Sequence, residues 1–292
     1  MRLWVCIPVH NRLSFTDRCL AALRNQNYPH HHVVLCDDGS SDGTGDFVRT
    51  KYPEVALLAG DGKLWWTGAT NACIDHALAH GDENDAVVTL NNDLEVEPDY
   101  LSRLAQVASR YPDAIVTSAS HDIKTRELRD PGYRHSWLTA GFRAIEPLMD
   151  HLPGDTEVAE VTHAAGRGTL IPFRVLRRVG LFDFRRLPHY GADYDFSFRA
   201  RRAGFRIVVA FGAKVFSHVD ETGLTRARQK FSLGSFYRYL TDRKTPTNLR
   251  SRFWVAAKNC PGFLLPSYLV IDIARVVGGY FKFHLRRALP AN

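Results

Sequence analysis

The sequence predicts an α/β fold in which a mainly parallel sheet is covered by helices on both faces. Short apolar runs alternate with helical patterns along the first 120 residues. Polar clusters follow several of these runs, where each predicted strand ends. Because ligands bind outside the carboxyl ends of parallel strands, we expect these clusters to line one cleft.

The first βαβ unit occupies about forty residues. LWVCIPV at 3–9 and HVVLC at 32–36 have the composition of buried strands. Ser14 is predicted to cap the helix between them, because apolar residues recur at helical spacing after it. The Gly, Ser and Asp residues of DDGSSDGT then predict a loop.

The alternation continues through the next eighty residues. A helix is predicted at 70–80, followed by the strand DAVVTL, which ends in NND. Pro98 indicates the first turn of another helix, and AIVTSAS is the strand after it. Residues 121–160 lose this periodicity and are interpreted as a variable loop region.

Composition excludes several classes of protein. Of the 292 residues, 45% are hydrophobic and 24% charged, which is typical of globular proteins and excludes collagen-like, coiled-coil and disordered chains. The five cysteines are odd in number and contain no C-x-x-C pair, so they are predicted to be reduced thiols rather than zinc ligands.

Charge is distributed unevenly along the chain. Residues 1–222 carry 25 basic and 29 acidic side chains, whereas residues 223–292 carry 13 and 2. We therefore predict a domain at 1–222 and a basic helical extension at 223–292. The first residues lack the pattern of a secretory leader, which predicts a cytoplasmic protein.

Four polar positions are candidates for chemistry. Asp38 in DDGS has the position of a base- or ribose-binding carboxylate, although an Asx turn also explains it. Asp93 in NND offers an oxygen ligand to a hard cation. Asp193 opens a predicted amphipathic helix, where a carboxylate often serves only as a cap. His218 follows an apolar run and fits either a core position or a metal ligand.

Together and in this order, five segments resemble the motifs of the family 2 glycosyltransferases. They are CIPVHNR, QNYPHHHVVLCDDGSSDGT, VVTLNNDLEVEPDYL, GRGTLIPFRVLRRVGLFD and GADYDFSFRARRAGF, and the resemblance extends to about residue 220. It implies the GT-A fold, a Rossmann-like mixed sheet flanked by helices. It also implies inverting transfer of a sugar from a nucleoside diphosphate.

The resemblance implies roles for residues at the nucleotide end. The loop from Pro8 to Arg12 would bind the base, with His10 where a Tyr usually packs on the ring. Asp38 would hydrogen-bond that base. The segment DGKLWWTGATN would approach the donor phosphates, through Lys63, Gly68 and Asn71.

It also implies roles at the reacting end. Asn92 and Asp93 match the D-x-D-like element, so that Asp93 and His218 would hold Mg²⁺ or Mn²⁺ at the diphosphate. Asp193 matches the general base of a one-step displacement with inversion. Trp66 and Asp195 are candidate contacts to the donor or acceptor sugar, although a Trp here also suits the core. Ala192 stands where the family commonly has Glu.

The basic extension ends in a long apolar helix, predicted at 262–287. Asp272, Arg275 and Lys282 fall on one narrow polar stripe of it. We expect the run to be too interrupted to span a bilayer and to lie instead in the membrane interface. Packing on the protein or on a second subunit is the alternative, and the oligomeric state stays open.

The leading hypothesis is a divalent-cation-dependent glycosyltransferase on the inner face of the cell membrane. The resemblance to rhamnosyltransferase-like members suggests a dTDP- or UDP-sugar, with rhamnose as the first guess, and a cell-surface glycan or lipid-linked acceptor. An inactive sugar-nucleotide-binding scaffold is the alternative. Nucleic-acid binding fits the basic tail, but residues 1–222 are net acidic and contain no nucleic-acid-binding motif, so no nucleic-acid partner is expected.

Overall fold

The computed structural model describes residues 1–145, 158–217 and 231–288 of the chain, with side chains through Leu285. The strands are β1 (Leu3–Val9), β2 (His31–Asp37), β3 (Ala56–Ala59), β4 (Ala86–Thr89), β5 (Leu94–Val96), β6 (Ala114–Asp122), β7 (Leu128–Asp130), β8 (Tyr133–Ser136), β9 (Gly141–Ala144), β10 (Val158–Glu160), β11 (Thr169–Pro172) and β12 (Arg206–Ser217). The helices are α1 (Leu13–Arg24), α2 (Thr44–Lys51), α3 (Trp65–His80), α4 (Tyr100–Arg110), α5 (Phe173–Val179), α6 (Ala192–Arg202), α7 (Leu233–Thr241), α8 (Leu249–Asn259) and α9 (Leu265–Ala288).

The main sheet has the strand order β10-β12-β6-β11-β4-β1-β2-β3, with β5 and β7 paired at β12 and β6. Pairing is parallel from β4 through β1 and β2 to β3, and again between β6 and β12. β11 lies between these two groups and is antiparallel to both neighbours. The prediction of a mixed, mainly parallel sheet flanked by helices, followed by helices at the carboxyl end, is confirmed.

Strand β1 shows how the sheet is buried on both faces. Leu3, Val5 and Ile7 pack against α1 and α4, whereas Trp4 and Cys6 pack against α3 and α5. Successive side chains of a strand alternate between faces, so a continuous apolar run fills both cores. Among the cysteines, Cys260 alone is partly exposed, and all five are free thiols.

Two predicted helix starts are wrong. Helix α1 begins at Leu13, so Ser14 lies inside it and does not cap it. Helix α3 begins at Trp65, five residues before the predicted start, because the Asp38 carboxylate accepts a hydrogen bond from the Trp65 N–H. A partner from a distant loop replaces the local cap that sequence patterns reveal.

Part of the region predicted as a variable loop has regular structure. Strand β7 pairs with β6, and β8 and β9 form a separate hairpin. Trp137, in the hairpin loop, packs against Phe198 of α6 and Tyr268 of α9. These tertiary contacts, rather than periodicity, stabilise the segment.

The predicted boundary at residue 222 lies in 218–230, outside the described residues. The helices that follow pack on the α/β domain, because Val255 of α8 lies against Gly191, just before α6. Helix α9 joins α8 through an ion pair between Arg252 and Asp272. Asp272 therefore faces the protein.

Helix α9 has one side buried against the protein and one exposed side. Tyr268, Asp272, Val276 and Tyr280 are buried and recur every four residues. Large apolar side chains are exposed on α7, on α9 and on the turn before α9, and this set is here called the α7–α9 apolar face: Leu233, Tyr237, Phe263, Val270, Ile273, Phe281 and Leu285. Within the described residues one helix, Gly262–Leu285, is long and apolar enough to cross a membrane by length and composition. The expectation that the run is too interrupted is wrong by that measure.

Candidate functional site

The loops that follow β1 and β2 are tied together at the carboxyl edge of the sheet. The Nδ1 atom of His10 lies 2.7 Å from the Asp38 carbonyl oxygen, and the Asn11 N–H donates to Ser40 Oγ at 2.6 Å. A carbonyl oxygen only accepts, so the Nδ1 of His10 carries the hydrogen. The exposed imidazole is therefore held in one orientation at the cleft.

Asp38 holds the turn that leads into α3. Its side chain is 4% exposed, and its oxygens accept from the N–H groups of Gly62 at 2.8 Å and Trp65 at 2.9 Å. A carboxylate has about four acceptor positions, so two bonds do not exhaust it. Pro8, predicted as part of the base-binding loop, is instead a buried residue of β1 paired with Cys36.

Asp93 and Arg12 form an ion pair across the cleft. Arg12 Nη1 lies 2.8 Å from Asp93 Oδ2, and each side chain is 34% exposed. Arg12 and Asn11 both have left-handed backbone, with φ of 66° and 61°. Such conformations cost about 1–3 kcal/mol each in a non-glycine residue and concentrate at functional sites.

The two Asn residues before Asp93 point to different places. Asn92 is buried and donates to Thr16 Oγ1 at 2.9 Å, so its side chain supports α1 rather than the cleft. The Oδ1 of Asn91 accepts from Trp66 Nε1 at 2.9 Å. The sequence predicts that Asn92 contacts the donor. In the structure the side chain of Asn91, not that of Asn92, lies beside Trp66.

Trp66 connects this end of the cleft to Asp193. Its ring lies against Gly166 so closely that a Cβ on that glycine would be 2.4 Å from the ring. The Gly166 N–H donates to Asp193 Oδ2 at 3.1 Å. Asn91, Trp66, Gly166 and Asp193 thus form a continuous wall.

Asp193 lies in the first turn of α6, where the helix dipole favours a negative charge. Its Oδ1 accepts from the Tyr194 N–H at 3.0 Å. Burial raises the pKa of Asp193 above its ordinary value, while the backbone hydrogen bonds and the charge of Arg167 partly offset that rise. A carboxylate with a raised pKa is a stronger proton acceptor, which suits a general base.

Three predicted site residues have structural roles instead. Asp195 is fully buried and is held by Arg199 and Lys258, each at 2.9 Å, so it does not contact a sugar. The Asn71 amide is bonded to the backbone of Phe182. Gly68 lies inside α3 and does not cap it.

Lys63 is exposed on the turn before α3. His218 lies outside the described residues. Within the described ranges, no group of three His, Cys, Asp or Glu residues could hold a metal. A cation beside Asp93 would therefore depend on oxygen ligands from a bound substrate and water.

Arg167 and Tyr190 lie near Asp193 but are not among the site residues predicted from the sequence. Arg167 donates to Asp130 Oδ2 at 2.8 Å, and its Nε is buried without a partner among the described residues. Burial raises the pKa of Tyr190, with the charges of Asp193 and Asp93 adding to the rise and Arg167 opposing it. The segment HYGAD, in which Tyr190 precedes Asp193 by three residues, is the sequence signal that could have indicated Tyr190.

A model of glycosyl transferase family 2 matches residues 4–180. An N-acetylglucosaminyl-diphospho-decaprenol L-rhamnosyltransferase of Mycobacterium tuberculosis is 26% identical over 223 residues, which are 69% of this chain and 71% of that protein.

Two solved structures share the fold. TarS 1–349 of S. aureus in complex with UDP-GlcNAc superposes with a TM-score of 0.58 at 14% identity, covering 97% of this chain and 73% of that one. The mannosyltransferase PcManGT of Pyrobaculum calidifontis, in complex with GDP-Man and Mn²⁺, gives 0.54 at 16% identity and covers 98% and 79%. The GT-A architecture is thus common to all three chains.

Proposed function

The chain belongs to glycosyl transferase family 2 and is a glycosyltransferase; from this premise we propose that it moves a sugar from a nucleoside diphosphate to a hydroxyl group of a lipid-linked or cell-surface glycan, with inversion. A dTDP- or UDP-sugar is the proposed donor, with rhamnose as the first sugar to test. The name of the mycobacterial relative supports both rhamnose and a lipid diphosphate acceptor. TarS supports a uridine nucleotide.

Asp193 is the proposed general base, and its place in the cleft wall is the observation that carries the proposal. A base must reach the proton of the attacking hydroxyl. The hydrogen bonds from Gly166 and Tyr194 fix the carboxylate, and burial makes it a better proton acceptor. A single carboxylate on the side opposite the leaving group is sufficient for a one-step displacement.

Asp93 is the proposed protein ligand of Mg²⁺ or Mn²⁺, with His218 as a second ligand. A hard cation with carboxylate and phosphate oxygens suits this donor set, and PcManGT was crystallised with Mn²⁺. When bound, the cation would supply charge neutralisation to the departing diphosphate. Arg12, already paired with Asp93, provides a second positive charge at the same end of the cleft.

The nucleotide end is proposed to lie over His10 and Asp38. The His10 ring is exposed, and its Nδ1–H bond to the Asp38 carbonyl fixes its plane for stacking on a base. Asp38 retains acceptor capacity beyond its two backbone bonds. Lys63, on the turn that Asp38 holds, would add charge near the phosphates.

The α7–α9 apolar face is proposed to contact the inner face of the cell membrane. Val270 is 69% exposed and Phe263 85%, with Arg275 and Lys282 also exposed on the same helix. Apolar side chains enter the interface while cations attract anionic lipid. Such contact would bring the enzyme to a lipid-linked acceptor.

A panel of nucleoside diphosphate sugars with Mn²⁺ or Mg²⁺ tests the function, with diphosphate release as the readout. We expect release from one donor, loss on chelation, and a decrease of about 10²–10⁴-fold in Asp193→Asn with unchanged nucleotide affinity. Glu83→Gln, at an exposed carboxylate outside the cleft, is the control. Nucleotide binding without any release, even with a lipid-linked acceptor, would instead favour the inactive scaffold.

A further inference from the structure

The loop between α7 and α8 places two cations over an aromatic ring at the cleft. The Arg243 Cζ lies 5.7 Å from the centroid of the Trp65 ring, and the Lys244 Nζ lies 5.9 Å from it. Both side chains are exposed, and within the described ranges neither forms an ion pair with a carboxylate. The two positive charges therefore face solvent beside the Trp65 ring. The ring attracts cations but carries no net charge, so both charges remain available to an anion.

Hydrogen bonds fix the backbone of this loop. Thr245 Oγ1 donates to the Asp242 carbonyl at 3.0 Å, and Asn248 Nδ2 donates to the Thr241 carbonyl at 2.6 Å. The Asp242 carboxylate accepts the Lys244 N–H at 2.8 Å. These bonds fix the backbone from which the two cations project, which lowers part of the entropy cost of binding.

His189, whose ring contacts that of Trp65, belongs to the segment that leads to Asp193. The ring of His189 lies 6.1 Å from that of Trp65, and its Nδ1 is buried with no partner among the described residues. Such orphaned atoms in a native fold call for an explanation, and a bound ligand is one. His189 lies four residues before Asp193, in the segment that leads into α6.

The surface next to this loop is apolar. Helix α7, which leads directly into the loop, exposes Leu233 at 89% and Tyr237 at 68%. The same helix packs on α9 through Tyr239, whose hydroxyl donates to the Val276 carbonyl at 3.3 Å. The two cations therefore lie in the loop that continues directly from this apolar helix.

We propose that Arg243 and Lys244, above Trp65 and His189, bind the phosphate group of a lipid-linked acceptor. This inference rests on the proposed function. A polyprenyl phosphate joins an anion directly to a hydrocarbon, and this region joins paired cations to an exposed apolar face. Arginine and lysine are the usual partners of phosphate, and the donor diphosphate has its own proposed position at Arg12 and Asp93.

Binding of farnesyl diphosphate and of farnesol to the full chain in detergent micelles tests the proposal. We expect Arg243→Ala/Lys244→Ala to weaken farnesyl diphosphate binding at least about tenfold, as for loss of charge-assisted hydrogen bonds, without changing farnesol binding. The affinity for UDP with Mn²⁺ should not change. Arg243→Lys/Lys244→Arg should retain binding.

Arg238→Ala/Arg250→Ala is the matched control, because it removes the same charge from exposed positions of the two helices that flank the loop. An equal loss of farnesyl diphosphate binding in this control would show that the net charge of the protein explains the effect, and it would overturn the proposal. So would unchanged farnesyl diphosphate binding, a loss shared by farnesol, or a loss confined to UDP, which would assign the cations to the donor. Donor hydrolysis without acceptor is measured in parallel, and its absence from the wild type counts against the glycosyl transfer rather than the phosphate site.

Discussion

The ammonium group of Lys258 in α8 lies 2.9 Å from Oδ2 of Asp195 in α6, two residues after the proposed general base. It also lies 2.6 Å from Asp183 Oδ2. Asn259 donates to the other Asp195 oxygen at 2.9 Å. The basic extension is therefore bonded to the helix that carries Asp193.

Replacement of Lys258 by Met should destabilise the protein. Asp195 is fully buried, and loss of one partner of a buried charged group lowers the free energy of unfolding by about 2 kcal/mol. Urea denaturation measures this change. Lys63→Met, at an exposed lysine, should stay within about 0.5 kcal/mol of wild type. Equal effects of the two substitutions would mean that Arg199 and Asn259 are sufficient partners for the Asp195 carboxylate without Lys258.

Asp193→Asn should stabilise the protein at neutral pH although it strongly reduces transfer. Because the folded-state pKa of Asp193 is raised, its contribution to stability is greatest below the unfolded value and is lost as pH rises through the folded one. The ionised group thus costs stability at pH 7. We expect the Tm of the variant to exceed that of wild type at pH 7 and the difference to shrink toward pH 4. A difference that is constant with pH would contradict the raised pKa.

Gly166→Ala should reduce transfer by about 10²-fold, as expected for a displacement near 1 Å at a reacting group. The added Cβ would be 2.4 Å from the Trp66 ring, so either Trp66 or Asp193 must move. The rate of diphosphate release and the tryptophan fluorescence report the two outcomes. Gly234→Ala is the control, because a Cβ there meets nothing within 4 Å. An unchanged rate would show that the wall tolerates the shift.

Asp93→Ala should weaken Mn²⁺-dependent UDP binding at least about tenfold, the loss found for disturbed metal sites. Calorimetry with and without chelator measures it, and the wild type and the variant should bind UDP equally once the metal is removed. Glu83→Ala, at an exposed carboxylate outside the cleft, should behave as wild type. Metal-independent binding by the wild type would remove the cation from the proposal.

Val270→Glu should lower binding to anionic liposomes about tenfold, because it replaces an apolar contact by a like charge on the α7–α9 apolar face. Liposome co-sedimentation measures the change. Thr50→Glu is the control, because it adds the same charge at an exposed position of α2, which is not part of the α7–α9 apolar face. Equal losses in both variants would point to general electrostatics instead of a membrane-facing helix.

Sequence patterns predict the strands well where burial is two-sided, as for Leu3–Val9, whose bounds agree with the apolar run. They also place Asp193 in the first turn of a helix. They fail for side-chain direction: Asn71 and Asp195 have the residue types of a site, but Phe182 and Lys258 hold them elsewhere. Those partners are 63 or more residues away in the chain, and only the folded structure brings them near.

The reversed direction of β11 determines how the chain enters the cleft. In a sheet with uniform strand direction, only segments that follow a strand reach the ligand-binding edge. Because β11 is antiparallel to β4 and β6, the residues that precede it, Gly166 and Arg167, arrive at that edge instead. Substitutions at Gly166 or Arg167 can therefore reshape the wall beside Asp193 without changing a residue of the strands.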